Sequence, residues 1–331
     1  MMQKRPLLPD WLIRYWFFLG IALVVPAAVV VPSAGAWLRR WHLLQTGIFT
    51  VFFITGLTLE LRQIRDARQN FKAVTASLLS SLILFPALTF LLCRLFLSDL
   101  PDFIVGSLIL SVSPVTIASG AVMTGIAGGN IPLSLFICIA GNIAAVFTVP
   151  FSLDLMLHGK SVVSLPAVQM ITNLFFIIIV PIAIGQLFRF WLKASLEPWH
   201  KAFSIFSQFV VLMIIFNAVT GSATRLGSAG SQISLLFIFV IALHGMILAL
   251  NLGLSRLFGL DPPSTAAFTI QTSQKTLTVS YLVWAGYFSS AFPMAIYPAV
   301  GYHLTQMVAD TLMAHRMRDW IRKSVQSQNS G

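Results

Sequence analysis

Ten apolar runs, joined by short polar connections, constrain this chain more than any other feature of its sequence. With a window of about 20 residues they fall at 15–33, 43–61, 73–97, 103–127, 131–155, 166–190, 203–221, 231–255, 263–286 and 290–313. Inside lipid an open segment can satisfy its backbone only as a helix, so the runs predict an all-α integral membrane protein of ten transmembrane helices. Only 9% of residues are charged and 57% are hydrophobic, far from the balance of a soluble domain. No polar stretch is long enough for a separate soluble unit. Cys93 and Cys138 both lie within apolar runs, which argues against a disulfide framework or a cysteine metal site.

The net charge of +11 would suit a nucleic-acid partner, but its distribution does not. The basic residues sit in the connections and orient the chain instead. Lys4, Arg5, Arg14, Arg62, Arg65, Arg68, Lys72, Arg189, Lys193, Lys201, Arg256, Arg316, Arg318, Arg322 and Lys323 fall on the side of both termini. Arg39, Arg40, Arg94, Lys160 and Arg225 fall on the other. Both termini are therefore expected in the cytoplasm, with the chain in the inner (plasma) membrane of a bacterium and lipid, not nucleic acid, around it. The run Trp16 to Val31 followed by Ala34-Gly35-Ala36 imitates a secretory signal with a cleavage site. The charge count favours its retention as a first membrane helix.

One basic residue belongs to neither side. Lys275 stands in "TIQTSQKTLTVSYL", residues 269–282, inside the ninth run. An ammonium at mid-bilayer costs about 2.5–3.5 kcal/mol on insertion scales, so such a polar stretch persists only against protein or water. A polar interhelical interface is the simpler account, but the density of Thr269, Gln271, Thr272, Ser273, Gln274, Lys275, Thr276, Thr278 and Ser280 exceeds it. The fourth run, "SVSPVTIASGAVMTGIAGGN", has a matching irregularity. Pro114 removes a backbone donor and clashes one turn back, and Ser111, Ser113, Thr116, Ser119 and Gly120 surround it. A proline kink patched by hydroxyls would explain the fourth run alone. Two interrupted helices at corresponding places of two halves point instead to the solute and ion site of a transporter. Ten runs divide into two halves of five, and an odd number per half inverts the second.

All ten carboxylates read as lying in connections or near the ends of runs, Asp310 among them. The expectation is therefore an acid-free centre. Either Lys275 is its fixed cation, which favours an anionic solute, or burial holds it neutral and able to carry a proton. Coupling to sodium, to protons or to neither stays open, and no cofactor is expected. The candidate solute and ion residues are Ser113, Pro114, Thr116, Ser119, Gly120, Asn130, Ser134, Gln271, Thr272, Ser273, Gln274, Lys275 and Thr276. Asn130, like Asn142, reads equally well as a helix cap or interhelical hydrogen bond. His244 and Asn251, seven apart, share one helix face, where a buried hydrogen-bonded pair is the simpler reading.

"GLTLELRQI" at 56–64, "ASGAVMTGIAGGNIPLSL" at 118–135 and "TSQKTLTVS" at 272–280 resemble the bile acid:sodium symporter superfamily, most closely its SBF-like branch. The resemblance implies two inverted five-helix repeats whose broken helices four and nine cross. It implies a panel formed by residues 1–72 and 161–228, moving against a core formed by 73–160 and 229–331. It also implies sodium-coupled uptake of organic anions by alternating access. The sodium pattern itself is incomplete. Ile270 stands where sodium-binding members place a glutamate, Gly120 and Ala121 where they place a small polar pair, Cys138 for a hydroxyl and Ser81 for a glutamine. Gln271, Ser273, Gln274 and Ser134 are what remains as candidate sodium ligands.

The expected function is thus a secondary transporter of a small organic anion. Its alternatives are a cation/proton antiporter or a regulatory membrane protein of the same fold. An antiporter would need a midplane carboxylate, which the sequence does not offer. An enzyme is not expected, since neither G-x-S-x-G nor H-E-x-x-H occurs and the six histidines lack ligand spacing. Oligomeric state is not legible.

Overall fold

The computed structural model describes residues 10–60, 70–116, 118–157, 165–192, 196–221 and 230–329. Among them the chain is helical without strands, and a helix occupies each of the ten apolar runs. We number them α1 (Asp10–Val30), α2 (Pro32–Arg40), α3 (Leu43–Thr58), α4 (Phe71–Phe96), α5 (Pro101–Val112), α6 (Ala118–Ile126) and α7 (Ile131–Leu157). The second half contributes α8 (Ala167–Leu192), α9 (His200–Thr220), α10 (Gly230–Leu257), α11 (Pro262–Ser273), α12 (Leu277–Val283) and α13 (Tyr297–Asn329).

Five helices (α4, α7, α8, α9 and α10) are long and apolar enough to cross a membrane singly, and the bent pair Trp16–Val30 with Pro32–Leu38 raises the count to six among the described residues. This is a multi-pass membrane protein. The bend of 101° in the first run falls just before Pro32, which cannot continue the preceding ladder. Of the basic residues that set the orientation, Lys4, Arg5, Arg62, Arg65, Arg68, Lys160, Lys193 and Arg225 lie outside the described residues.

Two runs that looked irregular are indeed broken. The fourth is α5, then extended backbone from Ser113 (ψ 149°), then α6. The ninth is α11, then extended backbone at Gln274 and Thr276 (ψ 151° and 122°), then α12. The tenth departs from expectation. Its helix begins at Tyr297 and continues to Asn329, so Asp310 lies in its middle and not near an end.

The packing falls into two groups. In one, α3 packs against the Val180–Leu192 half of α8, and α1 against α9. There Gly56 and Gly185 meet the opposing backbone directly, a Cβ on Gly56 colliding with the Ile182 carbonyl. In the other, α11 lies between α7, α10 and α13, and α5 packs on α4, α7 and α13. The polar residues collect inside this second group, at the level of the two breaks.

Candidate functional site

Breaking α5 from α6 frees four consecutive carbonyls, from Ser113 to Thr116. In an apolar interior each would cost about 1–3 kcal/mol if left without a partner. Each has a donor of its own. Lys275 Nζ donates to Ser113 O at 2.9 Å, the Thr276 N–H to Pro114 O at 2.9 Å, Asn142 Nδ2 to Val115 O at 3.1 Å and Gln271 Nε2 to Thr116 O at 2.7 Å. Three of those four donors come from the segment around the other break. The hydroxyl patch expected for a simple kink is present only as a supplement, with Ser280 Oγ donating to Ser113 Oγ at 2.9 Å.

Lys275 is 1% exposed. Besides Ser113 O, its Nζ donates to Ser81 O at 2.8 Å and Ser81 Oγ at 3.1 Å. The Phe85 ring lies under it, 4.6 Å from Nζ to centroid. Three oxygens and a π-face match the three donors and the charge that an ammonium would bring. The main chain of Lys275 is held as firmly. Gln306 accepts from its N–H at 2.9 Å and donates to its carbonyl at 3.0 Å, replacing the helical bonds that the break removes.

The remaining candidates occupy distinct hydrogen-bond sets. Gln271 Oε1 accepts from Ser134 Oγ at 2.9 Å, and it fills the space beside Gly120, where any Cβ would collide with it. Ser119 Oγ shares a hydrogen with Thr116 Oγ1 at 2.8 Å and donates to Gln274 Oε1 at 2.9 Å. Ser273 Oγ donates to Thr269 O at 2.7 Å and accepts from Asn251 Nδ2 at 2.8 Å. Thr272 pairs with Ser77 of α4, and Thr276 Oγ1 with Thr278 Oγ1 at 2.6 Å. The oxygens of Gln271, Ser134, Ser273 and Gln274 are thus spent in separate sets on protein partners. Asn130 stands apart from the break. Its Oδ1 accepts from the Leu133 N–H at 3.0 Å and its own N–H reaches Pro263 O, so it caps α7 and ties it to the start of α11.

The expectation of an acid-free centre is overturned. Asp310 is fully buried, its Oδ2 accepting from Gln274 Nε2 at 2.7 Å and its Oδ1 lying 3.0 Å from His244 Nε2. His244 Nδ1 meets Tyr302 Oη at 2.8 Å, and that hydroxyl donates to Ser273 O at 2.7 Å. His244 therefore pairs with Asp310 and Tyr302, while Asn251, expected as its partner, holds Ser80 and Ser273. A signal for this set was present in the sequence. Tyr302, Gln306 and Asp310 recur every four residues and so line one face of a helix.

Two interrupted helices bonded to one another by buried polar side chains are the kind of assembly that broken-helix transporters carry at their centre. The model of the SBF-like CPA transporter family matches residues 15–319. The chain belongs to that family. This SBF-like transporter is also 26% identical to the sodium/bile acid cotransporter 7 of Xenopus tropicalis, over 93% of either chain. Against the mouse protein of the same name it is 25% identical, covering 93% of this chain and 94% of that one. A probable chloroplastic sodium/metabolite cotransporter of Arabidopsis thaliana is 27% identical, over 92% of this chain and 73% of that one.

Away from the breaks, the transporter has a crevice of about 200 Å³ where Gln45 of α3 and Asn173 of α8 face Tyr281 and Tyr287. No charged side chain among the described residues lines it, and Asn173 Nδ2 donates to Tyr287 Oη across it at 2.8 Å.

Proposed function

We propose that this chain is a secondary transporter of a small organic anion, built as two inverted five-helix repeats and working by alternating access. In this reading the group containing α3, α8 and α9 is the panel, and the group around α11 is the core. The crevice between them admits the solute, with both termini on the cytoplasmic side. The observation that supports the reading is the seal between the two breaks. All four freed carbonyls between Ser113 and Thr116 are held by donors, one of them the Lys275 side chain, which this reading takes as an ammonium.

The same seal bears on the coupling ion. The relatives are named sodium cotransporters. Here the Lys275 ammonium occupies an oxygen cradle that includes Ser81, and the Gln271 amide donates to the Thr116 carbonyl beside Gly120. A sodium ion would have to displace one positive group and one N–H donor, and the nearby ammonium would repel it. The transporter therefore works without sodium, Lys275 standing where a bound cation would. A panel of radiolabelled organic anions, offered to purified protein in liposomes with and without a sodium gradient, tests this. Uptake of at least one anion, at a rate indifferent to sodium, is expected. Uptake that scales with the sodium gradient overturns the sodium-free reading, and no uptake of any anion overturns the transporter reading.

The cation/proton antiporter regains ground through Asp310, since it supplies the buried carboxylate which that reading requires. Its two oxygens are bound to His244 and Gln274, which favours a proton over a metal cation as its ligand.

A further inference from the structure

Four groups in series run from α13 through α10 to the end of α11: the Asp310 carboxylate, the His244 ring, the Tyr302 hydroxyl and the Ser273 carbonyl. The directions of the bonds can be assigned from the acceptor end. A carbonyl only accepts, so Tyr302 spends its hydrogen on Ser273 O, 2.7 Å away. The Tyr302 oxygen must then accept from His244, which puts a hydrogen on Nδ1 across 2.8 Å. That leaves Nε2 and Asp310 Oδ1, 3.0 Å apart, to share one more hydrogen, either as imidazolium with carboxylate or as imidazole with carboxylic acid. Three contacts hold three protons. His244 is 1% exposed and Asp310 is fully buried, so no bulk water substitutes for any of them.

Removing one proton leaves two for three contacts. The carboxylate is the strongest acceptor in the series and keeps the hydrogen on Nε2. Nδ1 is then a bare lone pair facing the Tyr302 oxygen. The Tyr302 hydroxyl must turn to donate to it, which releases the Ser273 carbonyl, the last of α11. Loss of a proton some residues away is thereby read out at the break in the ninth run. Asp310 is tied to the other break as well. Gln274 links it to Ser119 at the start of α6, through bonds of 2.7 Å and 2.9 Å.

We propose that the His244–Asp310 pair is the proton-binding site of this transporter and that one proton travels with each solute anion. This rests on the reading of the chain as an anion transporter and adds the coupling ion to it. With its proton the pair is electrically neutral, and the Lys275 ammonium leaves the centre positive and ready for an anion. Without the proton, the Asp310 carboxylate balances Lys275 and the centre is neutral. The proton enters from water on one face with the anion and leaves to water on the other, so a monoanion crosses without net charge transfer.

Other titratable groups facing the pair are few. On α13 itself Tyr302 belongs to the series, and His303 turns its ring toward Phe17 of α1 and its Nδ1 toward Gln306. Lys275 at the break points away, into the cradle of Ser81 and Ser113. Of the remaining neighbours, α6 and α11 carry no ionisable residue, and Asp102 of α5 is engaged with the Met294 N–H at 2.7 Å.

The proton alone serves as the probe. Infrared difference spectra of the full chain in lipid vesicles, taken between mildly acidic and mildly alkaline buffer, should show carboxyl and imidazole bands shielded from solvent exchange. Both should vanish in Asp310→Asn and in His244→Gln, and Asp310→Glu should keep a carboxyl band at a shifted frequency. Identical difference spectra for wild type and Asp310→Asn would overturn the proposal. If neither neutral variant folds, wild type labelled with carbon-13 in aspartate and histidine replaces them, and the absence of a label-sensitive, exchange-shielded band is equally fatal. The spectra need no solute, so they fail independently of the anion-uptake assay. A chain that moves anions but shows a silent pair removes the proton site alone. In liposomes an inward proton gradient should accelerate uptake of any transported anion several-fold in wild type and leave Asp310→Asn at its no-gradient rate.

Discussion

The two broken runs solve the same problem by opposite chemistry. The fourth presents acceptors, four carbonyls in a row, and takes its donors from other helices. The ninth supplies most of those donors, and its own exposed backbone is held by Gln306 and Tyr302 of a single helix, α13. The two breaks are thus complementary in hydrogen bonding. One break cannot be stable without the other, whereas the ninth also depends on α13.

That asymmetry can be broken in graded steps. Lys275→Met should have the largest effect, because it orphans the Ser113 and Ser81 carbonyls at about 1–3 kcal/mol each. Thermal unfolding in detergent should report a loss of about 2–5 kcal/mol, and anion uptake should disappear. Gln306→Leu removes the splint on the ninth break only. It should cost about 2–4 kcal/mol for two unpaired main-chain groups, and hydrogen exchange should accelerate at Lys275, whose N–H loses its acceptor. Unchanged exchange at Lys275 would contradict the dependence of the ninth break on α13. Gly120→Ala pushes a methyl group into Gln271 Oε1, an overpacking worth about 1–3 kcal/mol. The penalty should shrink when Gln271→Ala is combined with it, and a double-mutant cycle measures that coupling. Asn130→Ala, far from both breaks, should lose only the cap of α7, about 1 kcal/mol, and leave uptake per folded molecule unchanged.

Much of this was legible from residues. Membrane helices announce themselves by length and apolarity, and Pro114 with the polar run 269–280 marked both interruptions. That Lys275 is buried at the ninth break followed from its isolation from both sets of basic connections. What the sequence hid was the acid. A hydropathy window centred the tenth segment on residues 290–313, because it extends through the non-helical apolar stretch before Tyr297 and stops where arginines begin. Helix geometry continues past both limits, and the shift carries Asp310 from an apparent end to the middle of α13. Asn142 reads only as a cap or an interhelical bond and His244 as the partner of Asn251, since one sequence does not say which carbonyl or carboxylate faces them. Asn130, which reads equally well as a ligand or a cap, has the geometry of a cap.

The interlocked breaks also limit where this molecule can bend. Sliding the fourth run past the ninth would sever all of their shared bonds together, so in the proposed alternating access the pair is expected to move as one rigid block. Motion is then left to the seam beside it, where Tyr281 reaches Asn217 at 3.1 Å and Asn173 reaches Tyr287. Those contacts join neutral partners, the kind of fastening that can be exchanged for another at little expense, as the proposed alternating access would require.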